Sequence, residues 1–100
     1  LPEVVLLFGH RTEDELIYRA ELQSLRLPSY RFEPTLSRAT PSWAGRRGWV
    51  QSHVPELVAT LGGDCDVYVC GLNRMVAEVR SLLRQQLGLP RQRLHVERYD

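Results

Sequence analysis

The sequence predicts an α/β fold: an open parallel sheet of about four strands with helices on both faces. Three observations carry this. Short apolar runs alternate with stretches of helical periodicity. The strand–helix order repeats three times and finishes on a strand. Glycine or proline punctuates the elements, at Gly9, Pro28, Gly62-Gly63, Gly71 and Gly88 with Pro90.

Val4 to Phe8 is a continuous apolar run ended by Gly9, which reads as a strand buried on both faces. Thr12 then opens a helix running to about Leu25, with Glu15 three residues on completing a capping box. Glu13, Asp14 and Glu15 suit the positive end of its dipole, and Leu16, Ile17, Ala20 and Leu25 form its expected inner face. Tyr30, Phe32, Pro34 and Leu36 alternate with Arg31, Glu33 and Thr35, giving a second strand. Pro34 cannot donate to a ladder, so that strand belongs at an edge. Ser37 to Gly48 reads as a loop leaving the strand's C-terminal end, where open α/β sheets bind ligands. A helix from about Ser52 to Leu61 tolerates Pro55 because it falls in the first turn, and points Val54, Leu57, Val58 and Leu61 inward. Asp66 to Cys70 is the third strand. The clearest helix follows, with Met75/Val76, Val79, Leu82/Leu83 and Leu87 at helical spacing. Leu94 to Glu97 is the fourth strand. Parallel strands joined this way take right-handed crossovers.

Composition narrows the function. One hundred residues make one small domain or a piece of a larger one, 43% hydrophobic and 25% charged, as expected of a soluble chain. No apolar run approaches the roughly 20 residues of a membrane-spanning helix. No secretory leader is visible, so the expectation is a cytoplasmic protein. All 13 basic residues are arginine, which leaves no lysine for a Schiff base or a P-loop. A net charge of +1 argues against nucleic-acid binding through many phosphate contacts. Two cysteines, Cys65 and Cys70, are too few for a disulfide framework or a metal cage, and the three histidines lie far apart, so no metal site is expected.

Three places carry candidate chemistry. Ser37, Arg38, Arg46 and Arg47 gather hydroxyl and guanidinium donors after a strand end, with Trp43 and Trp49 adding flat apolar faces. Guanidinium groups grip phosphate oxygens in pairs, and an aromatic ring stacks on adenine, so the set suits an adenine nucleotide bearing an extra phosphate. The alternative is a solvated arginine-rich loop with a tryptophan packed on the core. Cys70-Gly71 ends a strand and opens a helix, where glycine lets a ligand approach the backbone and helix amides point at it. A buried cysteine acting as a small hydrophobe is the competing role. Glu97-Arg98-Tyr99 closes the last strand: Glu97 suits proton transfer or ligand orientation and Tyr99 suits ring stacking, or the segment is simply a frayed end.

Five pieces in order then resemble one family. They are Val5-Leu6-Leu7-Phe8-Gly9-His10-Arg11 with Asp14-Glu15-Leu16-Ile17-Tyr18, Leu36-Ser37-Arg38, Gly45-Arg46-Arg47-Gly48-Trp49-Val50-Gln51, Val67-Tyr68-Val69-Cys70-Gly71-Leu72 with Met75-Val76, and His95-Val96-Glu97-Arg98-Tyr99. Over almost its whole length the chain resembles the C-terminal, pyridine-nucleotide-binding part of ferredoxin–NADP(H) reductase-like flavoproteins. The resemblance implies that Ser37, Arg38, Arg47 and Trp49, with Gln51 nearby, bind the 2′-phosphate and adenine of NADPH. It implies that Cys70, Gly71, Leu72 and Met75 lie by the nicotinamide, and that Glu97 and Tyr99 serve hydride transfer, with Tyr99 stacking on the flavin. Several plant-type members end at that aromatic, whereas Asp100 follows it here.

The family's opening strand and its Gly-Thr-Gly loop have no counterpart in these residues, nor does its flavin barrel, so a fragment beginning after the first βα unit is expected. The family's doubly wound, Rossmann-like sheet runs 3-2-1-4-5. Without its central strand, this chain is expected to pair its first and third strands directly, in order 2-1-3-4, or to leave a gap filled by another chain. An open edge of that kind invites dimerisation. The resemblance thus implies a partial NADP(H)-binding domain over residues 1–100, FAD in the parent protein, and a ferredoxin- or flavodoxin-like electron carrier as partner. The isolated chain is expected to be inactive. The alternative is a non-catalytic α/β module for nucleotide binding or protein interaction.

Overall fold

The computed structural model describes residues 4–25, 29–63 and 65–98. They fall into two compact units, residues 1–52 and 53–100. The strands are parallel and form two sheets, one of three strands and one of two.

In the first unit, strand β1 (Val4–His10) pairs in parallel with β2 (Tyr30–Leu36) from Val4↔Tyr30 to His10↔Leu36. A two-residue strand β3 (Arg46–Arg47) adds to the other flank of β2, opposite Thr35 and Leu36. β2 is thus the central strand of this sheet and not the edge strand that Pro34 predicts; Pro34 is tolerated because it sits just before the pairing with β3 begins, where its missing N–H costs no ladder bond. β1 has a single hydrogen-bonded neighbour in the sheet order β1-β2-β3. That edge position explains why its apolar run is half-buried, with Val4 exposed, and not closed in on both faces as the sequence predicts.

The predicted helix from Thr12 to Leu25 is broken. A 3-10 turn at Glu13–Glu15 is followed by extended backbone at Leu16, and helix α1 covers only Arg19–Gln23, entered through left-handed Tyr18 at φ 54°. The capping box does not form, because Glu15 turns to Arg11. Its Oε1 accepts the Arg11 amide at 3.0 Å, and both carboxylate oxygens accept from the guanidinium. Of the expected inner face only Leu16 is buried, while Ile17, Ala20 and Leu25 are exposed. Leu16 joins Leu36 and Trp43 in the core of this unit, with Phe8 and Ala39 packed against them.

In the second unit, helix α2 (Val54–Thr60) carries Pro55 in its first turn, as expected, and buries Val54 and Leu57. It stops at two left-handed glycines: the Gly63 amide reaches back to the Val58 carbonyl at 2.9 Å. Strand β4 (Val67–Gly71) pairs in parallel with β5 (Leu94–Arg98) from Val67↔Leu94 to Gly71↔Arg98. Helix α3 (Asn73–Ser81) packs on both strands and buries Val76 and Val79. Each such fully buried aliphatic side chain contributes about 1.5–3 kcal/mol. A π-helical turn over Leu82–Gln86 extends α3, and its wider turn shifts the phase of the helix. Leu87, expected on the inner face, is 37% exposed, and Leu89 beyond it is buried.

Of the two sheet arrangements expected from sequence, direct pairing of the first strand with the third does not occur: β1 and β4 belong to separate sheets. The parallel α/β class stands.

Candidate functional site

Parallel strands put the C-terminal ends of β1, β2 and β3 at one edge, and the loop between β2 and β3 is tied down there. The Ser37 amide donates to the His10 carbonyl at 3.0 Å and the Arg38 amide to the Arg11 carbonyl at 2.8 Å. At the other end of the loop, the Gly48 amide donates to the Leu36 carbonyl at 2.9 Å, and its own carbonyl accepts from the fully buried Thr35 hydroxyl at 2.8 Å. Gly48 holds φ +100°, a value that glycine adopts without strain. Gly9 on β1 leaves room for the turn at Val50–Ser52, since a Cβ there would lie 2.6 Å from Val50 Cγ2.

The middle of the loop is built around Trp43. The sequence offers two tryptophans as stacking faces, and the structure separates them: Trp43 is buried and Trp49 is 63% exposed. The Trp43 indole N–H donates to the Arg46 carbonyl at 2.7 Å. Its ring lies against Gly45, and the Arg19 guanidinium carbon stands 5.3 Å from its centroid. The core-packed tryptophan of the alternative reading is thus Trp43; the sequence does not show which of the two it is, because loop residues follow no period that marks burial.

The arginines of this unit are mostly engaged. Arg11 pairs with Glu15, Arg19 with Glu13, and Arg31 and Arg46 share Glu33, with Arg46 Nε 2.7 Å from its carboxylate. Arg47 Nη2 donates to the carbonyls of Trp43 at 2.6 Å, Thr40 at 2.9 Å and Pro41 at 3.3 Å. Arg38 is different: it is exposed and has no side-chain hydrogen bond or ion pair among the described residues. Ser37, next to it in sequence, and Gln51 are half-buried. A guanidinium without a partner among the described residues, an exposed indole face and nearby-in-sequence polar side chains are residue types that suit a phosphorylated adenosine. His10, at the end of β1, keeps a buried Nε2 without a partner among the described residues, which sequence spacing gave no means of finding.

In the second unit the candidates gather at the C-terminal ends of β4 and β5. Cys70 lies opposite Glu97 in the ladder, and both are exposed. The exposed Cys70 thiol is therefore not the buried hydrophobe of the competing role. Neither cysteine is disulfide-bonded. Gly71 is covered by the Met75 methyl group, which a Cβ would meet at 2.5 Å. Leu72 is exposed and leads into α3, whose first internal bond runs from the Val76 amide to the Leu72 carbonyl. Asn73 to Met75 thus point helix amides toward the strand ends. Alternation places Tyr68 and His95 on the same face as Cys70 and Glu97, stacked with centroids 4.4 Å apart. Tyr99 lies outside the described residues. A groove of about 430 Å³ on this unit is bordered by Arg80, Arg84 and Arg98. No helix among the described residues is long and apolar enough to cross a membrane.

Comparison with known proteins places these features in one family. Residues 2–81 match the oxidoreductase NAD-binding domain. The chain is 54% identical over 102 residues to ferredoxin–NADP reductase B of Sorangium cellulosum, covering 95% of this chain and 42% of that protein. It is 28% identical to the electron transfer component of anthranilate 1,2-dioxygenase from Acinetobacter baylyi, covering 85% of this chain and 25% of that one. Among solved structures it resembles the ferredoxin reductase of carbazole 1,9a-dioxygenase, with a TM-score of 0.77 and 24% identity over 98% of this chain and 30% of that chain. The chain therefore spans less than half the length of these relatives.

Proposed function

This chain belongs to the oxidoreductase NAD-binding domain family, and from that premise we propose that it is the NADP(H)-binding segment of a flavin-dependent, ferredoxin reductase-like oxidoreductase. In this reading residues 1–100 are part of the nucleotide domain of a protein that moves hydride between NADPH and FAD. The observation that carries the nucleotide assignment is Arg38, an exposed guanidinium with no partner among the described residues, on a loop whose other arginines are engaged. A 2′-phosphate supplies the anion it lacks. Ser37 and Gln51 add hydrogen bonds around that phosphate and the ribose, and exposed Trp49 stacks on adenine.

The nicotinamide end falls to the second unit. Exposed Leu72 borders the ring, the Met75 methyl group, packed where Gly71 has no Cβ, lines it, and the amides opening α3 orient the carboxamide. Cys70 contributes a thiol beside the reacting carbon, and Glu97, opposite it in the ladder, orients the thiol or exchanges a proton with solvent. Tyr99 is assigned the flavin-stacking position. A bound flavin would supply the hydride acceptor and the one-electron chemistry needed to serve a carrier. Hydride transfer needs distance and orientation more than it needs acid–base help, so these residues act chiefly by positioning.

The similarity to a protein named for ferredoxin and NADP supports a ferredoxin- or flavodoxin-like carrier as partner. Arg80, Arg84 and Arg98 offer the acidic face of such a carrier three guanidinium groups. The reading also assigns the protein to the cytoplasm, where NADPH and reduced carriers are available. Among the described residues β1 has a single hydrogen-bonded neighbour, which leaves its other flank able to accept a strand from the same protein or a second copy. The test is steady-state reduction of an electron acceptor by the holoprotein with NADPH and with NADH. The reading predicts a kcat/KM preference for NADPH that Arg38→Ala removes by raising KM. Equal use of the two cofactors by the unaltered protein overturns it.

A further inference from the structure

Three arginines on the nucleotide loop, Arg38, Arg46 and Arg47, are available from sequence as phosphate ligands, and the structure treats them differently. A guanidinium grips an oxyanion through one of two forks, end-on through Nη1 and Nη2 or side-on through Nε and Nη2. Both forks use Nη2. In Arg47 that nitrogen faces three backbone carbonyls, those of Trp43, Thr40 and Pro41, at 2.6, 2.9 and 3.3 Å. It carries only two hydrogens, so they are shared among these acceptors and none is left for a ligand. The carbonyls belong to the turn that carries Trp43, whose indole N–H in turn holds the Arg46 carbonyl just before Arg47. Side chain and turn close on each other: Arg47 holds the turn, and the turn's tryptophan holds the strand on which Arg47 sits. On the other side of the loop, Arg38 has its amide fixed to Arg11 and its side chain exposed without a partner among the described residues.

We propose that Arg47 is a positioning residue: it latches the Thr40–Trp43 turn, and discrimination for the 2′-phosphate rests on Arg38. The proposal depends on the NADP(H) reading above. A latch shapes the whole adenosine surface, so its loss weakens nucleotides with and without the 2′-phosphate alike. A phosphate ligand affects only the phosphorylated one. Arg46 is no substitute, because its Nε is committed to Glu33 at 2.7 Å and the pair is largely buried.

The experiment is calorimetric titration of the protein with 2′,5′-ADP and with 5′-AMP, for the unaltered chain and for Arg38→Gln and Arg47→Gln. Arg47→Gln is expected to weaken both ligands by the same factor, leaving their affinity ratio within about twofold of the unaltered protein, and to speed amide exchange in the loop. Arg38→Gln is expected to cut that ratio by roughly tenfold or more, the size of a lost charge-assisted contact. NMR of the arginine Nε–H groups in the unaltered protein gives a readout that needs no variant to fold. The Arg38 signal should move with 2′,5′-ADP and not with 5′-AMP, while the Arg47 signal responds equally to both. If Arg47→Gln lowers the ratio as far as Arg38→Gln, or the Arg47 signal moves only with 2′,5′-ADP, the latch is wrong and the NADP(H) reading survives. If the unaltered protein binds the two ligands equally, the NADP(H) reading falls and the latch proposal falls with it.

Discussion

One methyl group added at Gly45 tests how the loop after β2 is held. The φ of Gly45 is not positive, so alanine is acceptable to the backbone there. The objection is purely steric. A Cβ at this position would stand 2.5 Å from Trp43 Cζ2 and 2.7 Å from Cε2, on a buried ring that also packs with Leu16 and Leu36. Neither the rigid indole nor the backbone gives way cheaply, so Gly45→Ala is an overpacking change costing about 1–3 kcal/mol. In a domain this small each kcal/mol lowers the melting temperature by roughly 4–8 °C. Thermal unfolding followed by circular dichroism reads this directly. A second variant isolates the cause. Trp43→Phe removes part of the ring system that meets the new methyl group, along with the N–H that holds the Arg46 carbonyl. It should be destabilising by itself, by about 1–3 kcal/mol for the abandoned carbonyl. In that background Gly45→Ala should cost less than it does alone. A Gly45→Ala protein that melts with the unaltered one, or a cost unchanged by Trp43→Phe, would refute the packing of this loop on Trp43.

Other residues give further expectations. The Arg11 hydrogen bonds hold the Glu15 carboxyl down at about 2, from an ordinary 4.5, so the stability it lends is complete above about pH 4.5 and fades as pH falls toward 2. Acid titration of the melting temperature should lose part of its slope in that window in Glu15→Gln, and high salt should reduce the effect because the pair is exposed. The Tyr30 hydroxyl is buried without a partner among the described residues, and burial raises its pKa. Tyr30→Phe should therefore leave stability unchanged or raise it by up to about 1 kcal/mol in denaturant unfolding, and a clear loss would reveal a hydrogen bond to that oxygen. Exposed Cys70 should react with a thiol alkylating reagent ahead of half-buried Cys65. NADP(H) bound to the holoprotein should slow that reaction at Cys70, as mass spectrometry of the labelled peptides would show; equal labelling with and without nucleotide would remove Cys70 from the site.

Four of the five described strands are legible from local pattern, β1 and β4 as compact apolar runs ended by glycine and β2 by its alternation, whereas the two-residue β3 at Arg46–Arg47 falls inside the Ser37–Gly48 segment that reads as a loop. Positions such as Val4–Phe8, Tyr30–Leu36 and Leu94–Glu97 need only local pattern to be recognised. The helix predicted after β1 breaks for a reason that pattern does not contain. Thr12 and Glu15 have the spacing of a capping box, but Arg11 offers Glu15 both an amide and a guanidinium, and that stronger pairing wins. Leu87 fits a strict helical period, and the π-helical turn ahead of it moves it off the inner face. For the candidate site, residue type points to Arg38 and Trp49, the strand-end glycine points to Cys70 and Gly71, and the family resemblance is what relates them. What residue type cannot show is the difference between Trp43 and Trp49, or between Arg38 and Arg47. Those depend on which backbone carbonyls the folded loop turns inward.

The central claim is that the exposed guanidinium of Arg38 reads a 2′-phosphate. Its most direct test is calorimetric titration of the unaltered protein and Arg38→Ala with 2′,5′-ADP and 5′-AMP at low ionic strength. The account predicts that the unaltered protein binds 2′,5′-ADP at least about tenfold more tightly, and that Arg38→Ala brings the two affinities together without weakening 5′-AMP. Equal binding of both ligands, or a preference for 2′,5′-ADP that survives Arg38→Ala, would contradict it.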